Sequence, residues 1–139
     1  MKKAVEINPT YPKNLWYLGF AYINSGDDME AANAITRSLL LWYRDRNMTI
    51  ENGRFKYDLN RILEEKYFFA PKQEILGAVN PYIKLKMWPE LLVLYLSAEV
   101  GDPGDIQLHQ SLALVYQNLG LTDKVNEELK IIDALQKKK

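Results

Sequence analysis

The chain has 139 residues, the length of one domain, and enough to bury a core if its helices stack continuously. Its 18 Lys and Arg balance its 18 Asp and Glu, so no net field draws nucleic acid or an acidic membrane, and neither is expected as a partner. Cysteine is absent, which removes disulfides and thiolate metal sites and leaves the compartment open.

No stretch approaches the roughly 18–20 uninterrupted apolar residues of a membrane span. Met1-Lys2-Lys3 leads into polar Glu6-Ile7-Asn8-Pro9 rather than a signal-peptide core. The segment is therefore expected to be soluble and not to insert into a membrane itself, either in the cytoplasm or on the outer face of a membrane as part of a larger protein. Ala4-Val5-Glu6-Ile7 reads as the end of a helix stopped by Asn8-Pro9. From Pro12 to Ser25, Leu15, Leu18, Gly19 and Tyr22 recur on one helical face, with Pro12 suited to the first turn. Ser25-Gly26-Asp27 breaks that helix. Met29 to Tyr43 resumes the period with Ala31, Ala34, Ile35, Ser38 and Leu39, small residues where this helix must approach the one before it. Arg44 to Gly53 is polar and ends in Glu51-Asn52-Gly53, a turn signal, and regular structure is expected to lapse there.

Tyr57 to Phe69 suits an inserted helix through Leu59, Ile62, Leu63 and Tyr67. Tyr82 and Tyr116 stand 34 residues apart, whereas Tyr22 and Tyr82 stand 60 apart, so 26 residues are extra between the first two units. The middle unit runs over Lys72–Leu85 and Pro89–Val100. Pro81 deep in its first helix costs about 3 kcal/mol unless the helix kinks or begins later, and the kink is the favoured expectation. Gly101 to Asp105 is a break, with Asp105 placed to cap a helix over Ile106–Asn118. After Leu119-Gly120-Leu121, Thr122 caps a final amphipathic helix carrying Val125, Leu129, Ile132 and Leu135, which ends on Lys137-Lys138-Lys139 where the dipole favours cations.

Leu18-Gly19-Phe20-Ala21-Tyr22, followed by Gly26 and Ala31, is echoed by Leu112-Ala113-Leu114-Val115-Tyr116, followed by Gly120 and Val125. This spacing resembles the tetratricopeptide repeat, a helix-turn-helix unit with a period of about 34 residues. The middle unit departs from that pattern, with Ala78-Val79 where Leu-Gly is usual and Leu91 where Ala is usual. The resemblance implies an all-α fold: a right-handed α-solenoid of antiparallel helix pairs, in one domain over 1–139. Residues 1–9 then end a partial repeat, 12–43, 72–103 and 105–136 are repeats, and 44–71 is an insertion containing a helix. The words around Asn8-Pro9, Leu15-Trp16-Tyr17-Leu18-Gly19 and Leu94-Tyr95-Leu96-Ser97-Ala98 also resemble the repeat tails of some bacterial O-antigen polymerase or ligase-like membrane proteins.

Residues that could carry chemistry are few. His109 is the only histidine, and it falls where a core residue of its helix belongs, so it is read as structural or surface rather than catalytic or metal-binding. The pairs Asp27-Asp28, Glu64-Glu65 and Glu127-Glu128 read as solvated faces, because neighbours on a helix point about 100° apart and each pair has Lys or Arg nearby. There is no phosphate loop, nucleophile elbow or metal-spaced cluster. The chain is expected not to be an enzyme and to use no cofactor or metal. Asn47-Met48-Thr49 is a formal glycosylation acceptor that matters only in a glycosylating compartment.

The tetratricopeptide resemblance implies a protein or peptide partner bound on a concave face made by the first helix of each unit. Its positions here are Trp16, Phe20, Ile23 and Asn24; then Leu76, Asn80, Ile83 and Lys84; then Gln110, Leu114, Gln117 and Asn118. Trp16 and Phe20 either open an aromatic end of that groove or pack on a preceding repeat or the inserted helix. The chaperone subfamily that clamps a terminal carboxylate places Lys and Asn where Trp16 and Phe20 stand, so carboxylate-tail binding is not expected. The repeat ends offer a second surface, Val5 and Ile7 at one end and Leu129, Ile132 and Leu135 at the other, for a homo-oligomer, as a ring or filament. Three readings stand: an interaction module, the soluble appendage of a membrane protein of surface polysaccharide polymerisation or ligation, and a self-assembling structural subunit.

Overall fold

The computed structural model describes residues 12–42, 49–51, 54–56, 58, 60 and 70–137. Among them are six helices: α1 (Pro12–Asn24), α2 (Asp28–Trp42), α3 (Lys72–Leu85), α4 (Trp88–Gly101), α5 (Ile106–Asn118) and α6 (Thr122–Lys137). A short antiparallel hairpin, β1 (Thr49–Glu51) and β2 (Arg54–Lys56), lies between α2 and α3. The partial repeat at 1–9 and most of the expected inserted helix lie outside the described residues.

The helices recur with the period read from the sequence. α3 and α5 begin 34 residues apart, as do α4 and α6, while α1 to α3 and α2 to α4 are each 60 apart. The turns recur as well. Gly26, Lys86 and Gly120, related by those same offsets, are the three described residues with left-handed φ, at 82, 58 and 76°. In each turn two bonds close the helix C-terminus. Gly26 N–H donates to Ile23 O and Asp27 N–H to Tyr22 O. Lys86 and Met87 donate to Ile83 and Tyr82, and Gly120 and Leu121 to Gln117 and Tyr116. This closure needs a left-handed residue, which glycine supplies without steric penalty and Lys86 does not.

Packing follows the chain. Each helix contacts its sequence neighbours, and α1 also touches α3, the pattern of a helical repeat in which each unit contacts the next. Gly19 on α1 makes the first crossing close: a Cβ there would overlap Ile35 Cγ1 of α2 and lie 3.0 Å from Ile35 Cδ1. The Ala31 carbonyl lies 3.4 Å from the same point, and Ala31, Ala34 and Ser38 are small residues buried along α2.

α4 differs from the other helices, being buried continuously from Glu90 to Glu99. Its run Leu91-Leu92-Val93-Leu94-Tyr95-Leu96 is apolar on every side, which suits a helix covered all round. α3 and α5 cover part of it, and β2 packs against it as well. The hairpin corrects the expectation that regular structure lapses before Gly53. Its register pairs Thr49 with Lys56, Ile50 with Phe55 and Glu51 with Arg54.

Pro81 lies inside α3, which runs unbroken from Lys72 to Leu85, so the late-start alternative fails. The residue four positions earlier, whose carbonyl a helical proline crowds, is Gly77. The linker between α4 and α5 is tied to α3 by charge. Lys72 Nζ at the start of α3 lies 2.7 Å from Asp102 Oδ2 and 2.9 Å from Asp105 Oδ2. Asp105 also caps α5 as expected, accepting from Leu108 N–H at 3.3 Å, and Lys72 holds its carboxyl below the usual range.

Candidate functional site

The first-unit positions expected on the concave face separate by burial. Trp16 is 1% exposed, so it offers no surface to a partner, and that expectation is corrected. Its indole meets Phe20 and Trp42 edge-on, with ring centroids 5.3 and 5.6 Å apart, and its N–H donates to Glu74 Oε1 on α3. Ala70 and Pro71, at the end of the insertion, line a small cavity with Trp16 and Trp42. Phe20 is half-buried, and Gly77 lets it approach α3: a Cβ on Gly77 would sit 3.2 Å from Phe20 Cε1. Ile23 is half-buried against the core and Asn24 is exposed. Phe20 and Asn24, with Tyr17, Ala21 and Glu74, line an open hollow of ≈ 410 Å³.

The middle and last units keep their expected positions at the surface. Leu76 and Ile83 are 37% and 43% exposed, and Leu114 is 53% exposed. Asn80, Lys84, Gln110, Gln117 and Asn118 are exposed around them. Lys84 Nζ lies 3.7 Å from Asp28 Oδ2. Gln110, Leu114 and Gln117 open onto a groove of ≈ 610 Å³ whose other wall is Val125 and Leu129 of α6.

At the repeat ends, Val5 and Ile7 lie outside the described residues. Leu129 is half exposed at the groove and Leu135 is half-buried, but Ile132 is buried, which corrects its assignment to an open end face. The inward stripe of α6 runs through Val125, Glu128 and Ile132, three and four residues apart. Leu129 stands beside that stripe rather than in it.

Glu128 is therefore not on a solvated face, and the expectation for the Glu127-Glu128 pair is corrected at this residue. Glu127 is exposed with Lys124 Nζ 3.2 Å away, whereas Glu128 is 6% exposed and its Oε2 lies 2.7 Å from His109 Nδ1. Glu99 Oε2, at the end of α4, lies 3.7 Å from the same nitrogen, and Pro103 O lies 2.7 Å from His109 Nε2. Burial lowers the affinity of this imidazole for a proton, but the Pro103 carbonyl and the two carboxylates outweigh it, and His109 titrates above its ordinary value. Sequence spacing did not bring Glu99, His109 and Glu128 together; the signal was Glu128 falling on the inward stripe. No family model, curated protein or solved structure matches the chain.

Proposed function

We propose that the chain is a tetratricopeptide-like right-handed solenoid of antiparallel helix pairs, acting as a non-catalytic module that binds a protein or peptide on the face made by α3 and α5. The regular helix spacing and the thrice-repeated turn support the architecture. The observation that carries the function is the exposure of Leu76, Ile83 and Leu114 on those two helices. Large aliphatic side chains left in water and rimmed by Asn80, Lys84, Gln110 and Gln117 have the make-up of a binding face, with apolar anchors and a polar border. An amphipathic helix or an extended peptide with apolar residues suits such a face.

Selection of displayed peptides against the purified chain tests this reading. Binders enriched on the wild type should lose affinity at least tenfold for a Leu76→Asp/Ile83→Asp/Leu114→Asp variant of unchanged helix content. Peptides that bind both proteins equally would place recognition elsewhere and contradict it.

The groove between α5 and α6 favours a second reading, assembly through the repeat end. Leu129 and Ile131 are exposed at 52% and 40% on that last helix. A sedimentation profile that shifts with concentration, and loses the shift in Leu129→Glu, is the expected signature. A strict monomer at high concentration removes it.

A further inference from the structure

The repeat offsets expose an anomaly at the last junction. His109 occupies the position of Leu15 in α1 and Ile75 in α3; Glu128 that of Ala34 and Leu94; Glu99 that of Leu39, and of the exposed Asp133 on the outermost helix α6. The five buried counterparts are apolar and at most 4% exposed. Packing is thus served at these positions by aliphatic side chains. The last junction instead buries an imidazole and two carboxylates, at 3%, 6% and 6% exposure. Replacing apolar core residues with ionisable ones carries a desolvation cost that attraction within the group often fails to recover, so these three residues answer to something other than packing.

Their geometry identifies it. The Pro103 carbonyl can only accept, so Nε2 of His109 carries the hydrogen that spans the 2.7 Å between them. That bond fixes the ring and aims Nδ1 at the carboxylates, as the outer hydrogen bond of a metal-ligating histidine does. Nδ1 and one carboxylate oxygen each from Glu99 and Glu128 lie within 4.8 Å of one another. The three ligands come from three successive helices, which holds their spacing rigidly. A hollow of ≈ 310 Å³ opens beside them, bordered by Lys124, Glu127 and Ile131. It supplies an entry path and room for water to complete a coordination shell.

We propose that Glu99, His109 and Glu128 form a binding site for one divalent first-row transition ion of the zinc or manganese class. Two carboxylates and a neutral imidazole balance a doubly charged cation. The imidazole favours such an ion over magnesium or calcium, and a chain without cysteine offers no thiolate for softer metals. The ion takes the place of the hydrogen between Nδ1 and the carboxylates and ties α4, α5 and α6 together. This site is separate from the apolar face assigned to partner binding.

Calorimetric titration of the chelator-treated full chain with Zn²⁺, Mn²⁺ and Mg²⁺ tests the proposal. One Zn²⁺ or Mn²⁺ per chain should bind at least about tenfold more tightly than Mg²⁺, and a hundredfold excess over Kd should raise Tm by roughly 5 °C or more. Glu128→Gln keeps the shape and should weaken binding at least tenfold, whereas Glu127→Gln on the exposed neighbour should leave it unchanged. Because a single loss can strand a buried charge, the triple variant Glu99→Leu/His109→Ile/Glu128→Leu restores the apolar residues of the other units. It should fold and bind no ion at this stoichiometry. Absence of one-to-one Zn²⁺ or Mn²⁺ binding by the wild type, or equal binding by the triple variant, overturns the proposal.

Discussion

Tyr82 on α3 reaches across to α2 and places its hydroxyl 2.8 Å from Thr36 Oγ1. The same oxygen lies 2.9 Å from the Ala32 carbonyl. A carbonyl can only accept, so Tyr82 spends its one hydrogen there and accepts from Thr36. Tyr82 is fully buried, and burial drives its phenol well above the ordinary tyrosine range. Tyr82→Phe should cost about 1–2 kcal/mol by stranding polar groups at the junction between the first two units. Urea unfolding checks this, and an unchanged midpoint would mean the contact is not made.

Lys86 holds a conformation that its counterparts Gly26 and Gly120 reach without penalty. Lys86→Gly should stabilise the chain by about 1 kcal/mol. Gly26→Ala and Gly120→Ala should each lose a similar amount, even though a Cβ at either position meets nothing within 4 Å. Thermal melts of the three variants, opposite in sign, test whether the three turns share one backbone.

Gly19 and Ala31 set the distance between α1 and α2. Gly19→Ala gains about 1 kcal/mol of helix propensity but drives a Cβ into Ile35, and the net expectation is a loss of roughly 1–2 kcal/mol. Ala31, fully buried, should tolerate Leu no better, with a cost of about 1–3 kcal/mol. A denaturation midpoint unmoved by both changes would exclude the close crossing.

Glu90 gives the stability a pH dependence. It is 6% exposed, and burial pushes its carboxyl from the ordinary 4.5 up to about 7. The folded state therefore holds this proton more tightly than the unfolded chain, so stability from this group is full below pH 4.5 and is lost as pH rises through 7. Glu90→Gln removes the effect. Relative to wild type it should be more stable at pH 8 than at pH 5 by about 1–3 kcal/mol, as urea titrations at the two values would reveal. A difference that does not change with pH would contradict it.

Much of the helical framework was legible because each helix carries its own signals. Leu15, Leu18 and Tyr22 mark a face, Gly26 and Gly120 mark turns, and Asp105 marks a cap. The surplus of 26 residues was countable from the tyrosines, but its hairpin was not. Three-residue strands are too short for alternation to register, and Asn52-Gly53 read only as a turn. Trp16 was misplaced because a repeat template says nothing of Trp42 and Glu74, the residues it packs against and donates to. Glu128 was misjudged from its neighbour Glu127, although its spacing to Val125 and Ile132 put it on the buried stripe. The meeting of Glu99 with His109 depends on how α4 packs against α5, which no local pattern encodes.

The most direct test of the partner-binding surface is methyl-detected NMR of the full chain titrated with a selected peptide. Shifts should concentrate on Leu76, Ile83 and Leu114, while Met29 and Val100, exposed on α2 and α4, stay unmoved. Saturable shifts confined to Met29 and Val100, with Leu76, Ile83 and Leu114 unchanged, would contradict the assignment of the binding face.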